Sequence, residues 1–585
     1  MRIKKLTQLF IVGISLWLVL DLQKITVDNI YFLLYLPLLG LAYWLLKTPL
    51  LAGRYLNGYF CFTFAALLAV VTIWEVIDYR NRAVDKLLLV EVILAVIGLT
   101  ILFEKMFQVL IQCSIVKNII GRSKGISWLQ SFSIISIGWL LYLLPFLPGN
   151  VAGDGNFQLL QFYGAIPMNN HQPILSTIFE GEVFNLGRCL GGDNFGLFLY
   201  VCIQMLICAL IYSWCISRVS KLGVNRVIAV ACSLFVGLAP YWSFASTTLH
   251  KDGMFLALFA LYVTVLLLIG VELFIGHTNG IRKKWGGGKI PGLIISGLLV
   301  CFWRNDGIYM VAPPLFCLIF VEKGRFWKRF LLSLAIVVSV YVGFIKVALP
   351  SMNIAPTERI ETLSLPVQQT ARYLKAYPND VTNHEKHILA TTFKNPEKLR
   401  EIYVPNNADP VKFSLRKNFN LRKYAKVWLD MGLRHPGVYL SATFAGTNGY
   451  YVPWILAPDF TWCGAMADYA KPTFLHMHYV TSAKVRNRFI QIIGSAGTVP
   501  FINIFFSTSI AIWLCLLMAL LMWTKYGFRF IVPIIPIFMN LLICIASPVN
   551  GLVRYSGCTV FATFMLIIYY LYILKFGKKK GEPND

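Results

Sequence analysis

Charge is scarce in this chain. Asp, Glu, Lys and Arg make up 14% of its 585 residues, against roughly a quarter in a typical soluble protein. So little charge, spread between long apolar runs, excludes a string of soluble domains and points to a bilayer. Acidic residues are scarcer still, 27 against 53 basic ones, which leaves a formal net charge of +26. No basic stripe with interleaved aromatics lies outside the apolar runs, so nucleic acid is not the expected partner. CxxC pairs and histidines at zinc-finger spacing are also missing. Most of the 13 cysteines sit inside apolar runs, for example Cys61, Cys113, Cys208, Cys232, Cys317 and Cys544. Cys189 and Cys463 alone fall in segments expected outside the membrane; they could form a disulfide, and two unpaired thiols are the preferred expectation. No Walker loop, dinucleotide fingerprint, nucleophile elbow or HExxH occurs, which argues against an ATP-driven pump. No internal repeat is evident, and the lack of inverted symmetry argues mildly against a secondary transporter.

The chain does have long apolar runs. They lie near 7–22, 30–46, 58–76, 87–105, 127–147, 194–217, 224–240, 253–276, 288–303, 306–322, 328–349, 500–523, 528–546 and 556–575. Most approach the ~20 residues a helix needs to cross the hydrocarbon. The expected fold is therefore an all-α polytopic membrane protein of about fourteen spans. The pair flanking Trp303–Asp306 reads alternatively as a broken or re-entrant element. Basic residues fix the orientation. With Arg2, Lys4 and Lys5 inside, the inner loops carry Lys47 and Arg54, then Lys117, Arg122 and Lys124, then Arg218, Lys221 and Arg226, then Arg282, Lys283, Lys284 and Lys289, then Lys323, Arg325, Lys328 and Arg329. The last inner loop carries Lys525 and Arg529, and the tail adds Lys575, Lys578, Lys579 and Lys580. This is the positive-inside pattern, with both termini cytoplasmic in the cell membrane. The mixed segment 77–86 is then outside. Two long connections also fall outside: 148–193, and 350–499, which is long enough to be a small helix-rich domain. The chain thus divides into N-terminal helices (1–126), a membrane core with an outer loop (127–349), an extracytoplasmic domain (350–499) and C-terminal helices with a basic tail (500–585).

The polar residues that could carry chemistry gather on the outer side. Asp154 sits between Gly153 and Gly155, whose backbones let a ligand approach closely. Its carboxylate could deprotonate a hydroxyl or hold a divalent cation. His171, followed two residues on by Pro173, could bond a phosphate or move a proton near neutral pH. Pro173 suits the first turn of a helix continuing to Asn185. Both polar residues equally suit a surface loop that ties itself together. Glu180 and Glu182, two apart, do not share a helix face and read as ordinary interfacial charges. Lys251 could neutralise a phosphate, and Asp252 could pair with it or cap a helix. Arg304-Asn305-Asp306-Gly307 interrupts an apolar stretch. A tight turn accounts for the last three, while Arg304 suits a phosphate fork. Gln368 and Arg372, four apart on a helix begun near Pro366, suit sugar hydroxyls and phosphate, or a solvated face. Arg554 adds another outer cation.

A lone Asp in the first large outer loop, a His-x-Pro after it, and a many-helix membrane domain with a late outer domain resemble the GT-C superfamily of integral membrane glycosyltransferases. The closer resemblance is to an uncharacterised group of bacterial multi-pass proteins. It is carried by Asn194–Gln204, Lys251-Asp252, Arg304-Asn305, Leu363–Arg372 and Pro548-Val549-Asn550, and covers roughly 127–570. The resemblance implies transfer of a sugar from a polyprenyl-phosphate donor to a glycan, lipid or protein acceptor in the cell envelope. Asp154 then activates the acceptor, His171 matches the His-x-Pro element, and membrane lipids surround the site. Gly155 stands where many superfamily members carry a second acid, which leaves a divalent cation open as the one cofactor. Three other readings remain: a transporter or flippase of lipid-linked glycans, a glycan polymerase or ligase of another fold, and a scaffold. Concentration of the polar motifs on one face favours an enzyme over a transporter.

Overall fold

A backbone immersed in hydrocarbon must satisfy its own polar groups, and the helix does so within one segment. The computed structural model describes residues 2–22, 35–47, 65–66, 69, 86–112, 125–275, 289–321, 326–357, 359–452, 475–497 and 508–576, and these are overwhelmingly helical. Most of the span expected near 58–76, the mixed segment up to 85, Cys463, Lys578, Lys579 and Lys580 lie outside the described residues.

Three N-terminal helices, α1 (Arg2–Leu22), α2 (Tyr35–Lys47) and α3 (Lys86–Gln112), close on a small cluster of their own that includes Val12, Leu16, Leu46 and Leu99. The larger bundle begins at α4 (Trp128–Leu143), opened by a Ser127–Gln130 capping box. It continues through strand β1 (Asn150–Val151), α5 (Gly153–Phe162), α6 (Ile174–Ser220), α7 (Arg226–Leu238), α8 (Pro240–Ser246), strand β2 (Thr248–Leu249), α9 (Lys251–Ile275), α10 (Lys289–Trp303), α11 (Gly307–Val321) and α12 (Trp327–Gly343). Helix α9 is its axis, with side chains buried all round from Met254 to Phe259. An apolar helix buried on every side belongs at the centre of a bundle. Six helices among the described residues are long and apolar enough to cross a membrane, or seven if the bent pair α7–α8 forms one span. The chain is an all-α membrane protein.

Two breaks shape the bundle. Although α6 runs for 47 residues, Gly191 and Gly192 leave helical geometry, Gly192 at φ +82°. A methyl on Gly187 would stand 2.8 Å from the Gly196 Cα. Nine residues of straight helix would separate those positions by about 13 Å, so the two halves fold back on each other as a hairpin. The segment 148–193 is therefore not an open loop: it holds α5 and the first arm of this hairpin. At the second break Pro240 supplies no backbone N–H, and α7 and α8 meet at 58°. The Trp139 indole N–H donates to the Val236 carbonyl (2.9 Å) and the Tyr142 hydroxyl to that of Leu238 (2.7 Å), so the carbonyls around the bend are satisfied.

A polar domain follows the bundle. Its core is separate and joins Val367, Ala371 and Tyr373 of α13 (Ser364–Ala376), Ile388 and Leu389 of α14 (Asn383–Thr392), Tyr424, Val427 and Met431 of α15 (Leu421–Arg434), and Tyr439 of α16 (Pro436–Thr447). Part of the segment expected as the extracytoplasmic domain, 350–499, packs with the bundle. Leu475 and Met477 belong to the bundle core, and Phe489, Ile490 and Ile493 of α17 (Ala483–Gly497) pack with Tyr142, Phe146 and Phe244. Leu475 and Met477 are buried there, and Phe489, Ile490 and Ile493 are half-buried. Helices α18 (Thr508–Tyr526), α19 (Ile535–Ala546) and α20 (Val553–Phe576) complete the bundle. The polar domain is tied to the α19–α20 connection: Ala408 N–H donates to the Pro548 carbonyl (2.7 Å) and Asn550 N–H to that of Asn406 (2.9 Å). The Asn550 side chain accepts from Gly449 N–H (2.9 Å) and donates to the Ala445 carbonyl (3.1 Å).

Candidate functional site

The two short strands build the site. β1 and β2 pair in parallel, Asn150 with Thr248 and Val151 with Leu249. Each is followed at once by a helix, so the first turns of α5 and α9 lie side by side, Asp154 on one and Lys251 with Asp252 on the other. Gln204 locks the second strand, its amide donating to the carbonyls of Ala245, Ser246 and Thr248 (3.2, 3.1 and 2.8 Å). The expectation that the glycines beside Asp154 make room for a ligand is revised at Gly155. A Cβ there would stand 2.2 Å from the Leu249 carbonyl oxygen, so the glycine admits the neighbouring strand.

Asp154 lies at the centre. Its Oδ2 accepts from Lys251 Nζ at 3.0 Å and from Arg554 Nη1 at 3.3 Å, and His250 Nε2 stands 3.6 Å away. Burial alone would raise this carboxyl, but the ammonium of Lys251 and the guanidinium of Arg554 outweigh it and hold the group well below the usual carboxylate range. His250 is buried. Its Nδ1 accepts the Asp252 N–H (3.0 Å), which leaves the ring proton on Nε2, 3.3 Å from Asp252 Oδ2. Gln172, one residue beyond His171, brings its side-chain oxygen onto Lys251 Nζ. Arg554 Nη2 donates to the Tyr555 hydroxyl (2.6 Å).

Arg304 reaches the same place from the α10–α11 turn. It is 8% exposed, pairs through Nε with Asp306 (3.1 Å), and lies over the Phe255 ring at 4.9 Å and the Tyr555 ring at 5.3 Å. Its Nη1 is buried with no hydrogen-bond partner among the described residues. A buried guanidinium nitrogen left unpaired is costly, and an anion would satisfy it. Lys251, Arg304, Asp154 and Arg554, separated by up to 400 positions, thus share one end of the bundle. Gln204, level with β2, stands about 24 Å of helix from Ser220, and Arg554 about 33 Å from Phe576. A ~30 Å hydrocarbon core puts the cluster near one membrane boundary. The described basic residues Arg218, Lys221, Arg226, Lys289, Lys328, Arg329 and Lys575 lie towards the helix ends remote from the cluster.

The other expected residues divide. His171 is exposed, and its backbone N–H is held by Asn169 Oδ1 (3.0 Å). Asn305 ties the α10–α11 turn to the loop at residue 170. Its amide donates to the Asn170 carbonyl (2.6 Å), its Oδ1 accepts from Asn170 Nδ2 (3.2 Å), and the Tyr341 hydroxyl donates to its carbonyl (2.6 Å). Gln368 donates to the Val404 carbonyl (2.7 Å) and Arg372 to that of Ser441 (3.2 Å), so both stitch the polar domain. Glu180 is the residue that sequence reasoning missed. Expected as an interfacial charge, it is fully buried, and with the Gln158 amide turned to its better orientation that amide donates to Glu180 Oε2 (3.2 Å). Its signal was the spacing from Pro173: two helical turns inward from the His171–Gln172 loop, on the face that α5 covers. Cys189 is a free, exposed thiol.

No group of three or more His, Cys, Asp or Glu side chains among the described residues is arranged to hold a metal ion. The donor set at Asp154 does not fit a divalent cation, because an ammonium and a guanidinium already share its Oδ2. A family model described as a family of unknown function (DUF6020) matches residues 164–581, and the chain belongs to that family. No curated protein and no solved structure matches it.

Proposed function

For this member of a family of unknown function, we propose a membrane glycosyltransferase of the GT-C type, which moves a sugar from a polyprenyl-phosphate donor to a cell-envelope acceptor. The carrying observation is the convergence of Asp154 with three cations, Lys251, Arg304 and Arg554, beside the further carboxylates Asp252 and Asp306, at one end of the bundle. A polyprenyl phosphate keeps its head at the membrane boundary and its tail in the hydrocarbon, which is the depth of this cluster. The fourteen crossings expected from the sequence, with both termini cytoplasmic in the cell membrane, turn the basic helix ends inward and the cluster outward.

In the reaction, the acceptor hydroxyl attacks the anomeric carbon and gives its proton to Asp154. The bond from that carbon to the phosphate oxygen breaks, and the electron pair stays on the phosphate. The developing charge falls among Lys251, Arg304 and Arg554, where preorganised cations stabilise it best. His171, exposed beside Gln172, is within the loop that an acceptor passes. The polar domain, anchored on the connection that leads into Arg554, covers the approach.

The test is transfer of radiolabelled sugar from polyprenyl-phosphate donors to native envelope acceptors, in membranes carrying either wild-type protein or Asp154→Asn. Loss of about 10²–10⁴ in rate at equal protein level is expected for removal of a general base. Equal transfer by both discards Asp154 as the base. Transfer by neither from any donor discards the glycosyltransferase.

A further inference from the structure

The cluster is paired with itself. Asp154 binds Lys251 and Arg554 through one oxygen, Asp252 faces His250, and Arg304 faces Asp306. A phosphate that enters finds Arg304 Nη1, which has no hydrogen-bond partner among the described residues, and two cations committed to a carboxylate. We propose that Asp154 and the donor phosphate compete for Lys251 and Arg554, so that donor binding itself releases Asp154 to act as the base and must precede acceptor activation. This rests on the glycosyltransferase reading and adds to it an order of binding.

The physical case starts from what a base needs. A carboxylate gripped by an ammonium at 3.0 Å and a guanidinium at 3.3 Å holds its charge firmly and takes a proton poorly. The groups facing Asp154 are His250, Lys251 and Asp252 from the β2–α9 junction, Arg554 from α20 and Glu180 from α6. Among the described residues, Lys251 and Arg554 are the Lys and Arg side chains in direct contact with it. Arg304 Nη1 offers the phosphate its first contact, and the Tyr555 ring, shared by both guanidiniums, brings Arg554 next to it. Each contact that moves from carboxylate to phosphate makes Asp154 more basic. Without a donor the site holds no competent base, so an acceptor hydroxyl arriving first is not deprotonated.

The balance closes over the turnover. The donor phosphodiester carries one negative charge. Asp154 takes the acceptor proton, the new glycosidic bond forms, and the phosphate leaves as a monoester with more charge, which binds the cations more strongly than the donor did. When the lipid phosphate departs, Lys251 and Arg554 return to Asp154, and its proton is lost to water.

The experiment is equilibrium binding of polyprenyl phosphate to the full-length protein in lipid nanodiscs, with chelator present, for wild type and Asp154→Asn. Removal of the competing carboxylate should tighten binding about tenfold. Equal or weaker binding by the variant overturns the proposal and leaves the donor reading standing. Failure of both proteins to bind polyprenyl phosphate sinks the donor reading and the proposal together. Inorganic phosphate bound as tightly as the lipid overturns the lipid part. A second readout needs no donor. A hydrophobic carbodiimide modifies carboxyls in their protonated form, so Asp154 in wild type should resist it at pH 6 while the Lys251→Met/Arg554→Met double variant is modified. Equal modification in both overturns the competition.

Discussion

Gly138 of α4 and Gly237 of α7 meet with no space for a side chain between them: a Cβ on Gly138 would lie 2.3 Å from the Gly237 carbonyl oxygen. Close backbone approach through small residues is how membrane helices gain packing when lipid is as apolar as they are. Gly138→Leu should force the two helices apart at a cost of about 1–3 kcal/mol or more. Gly292→Ala, where nothing lies within 4 Å, is the control. Thermal unfolding in detergent should show a clear drop for the first and a small one for the second.

Arg304 and Asn305 are neighbours with different tasks, and substitution should separate them. Arg304→Met removes a cation from the cluster and should lower kcat/KM for the donor about 10²-fold, with the fold intact. Asn305→Ala removes the bonds that join the α10–α11 turn to residue 170. Amide exchange should then rise at 169–172 and 353–357, because Thr357 and Ala355 bind the same loop. Unchanged exchange there would remove Asn305 from its clamping role.

Glu180 sits on a polar shelf with Gln158, Ser176 and Thr177. Glu180→Ala strands the Gln158 amide in a buried place, at about 1–3 kcal/mol. Glu180→Gln keeps a hydrogen-bonding group there and should lose much less. Equal melting temperatures for the two variants would show that the shelf is not a stability element.

Acid should loosen the polar domain at one identifiable contact. Glu385 accepts both contacts of Arg434 Nη2, at 2.8 and 2.9 Å, and closes a capping box with Thr382. Burial pushes its carboxyl up, but the Arg434 and Thr382 hydrogen bonds prevail and hold it below the ordinary value. With the folded pKa depressed, the stabilisation is fully present above the unfolded value of about 4.3 and is lost as pH falls through the folded one. Hydrogen exchange of 383–392 and 421–434 should rise over that acid window in wild type. In Glu385→Gln it should be raised already at neutral pH and vary less with acid. An unchanged acid response in that variant would assign the effect to another group.

Apolar runs near the length of a membrane crossing determined the helices, and basic clusters at alternate ends determined which ends share a side. Both follow from local chemistry, because water, lipid and headgroups act on each segment separately. Asp154, Lys251, Arg304 and Arg554 were legible for the same reason, since a charge beside an apolar run demands an explanation. What tertiary structure alone decided is which of them meet. A two-residue parallel pairing sets Asp154 beside Lys251, and the last helix returns Arg554 to both. Helix α5, with Gln158, covers Glu180, which its own neighbours mark as an ordinary charge. Asn305, Gln368 and Arg372 carry the same residue chemistry as ligands, yet spend it on carbonyls that only the folded chain brings within reach. Hydrogen-bond partners at these positions come from other segments, 22 residues away for Glu180, 36 for Gln368, 69 for Arg372 and 135 for Asn305, and the residues beside each do not name the partner.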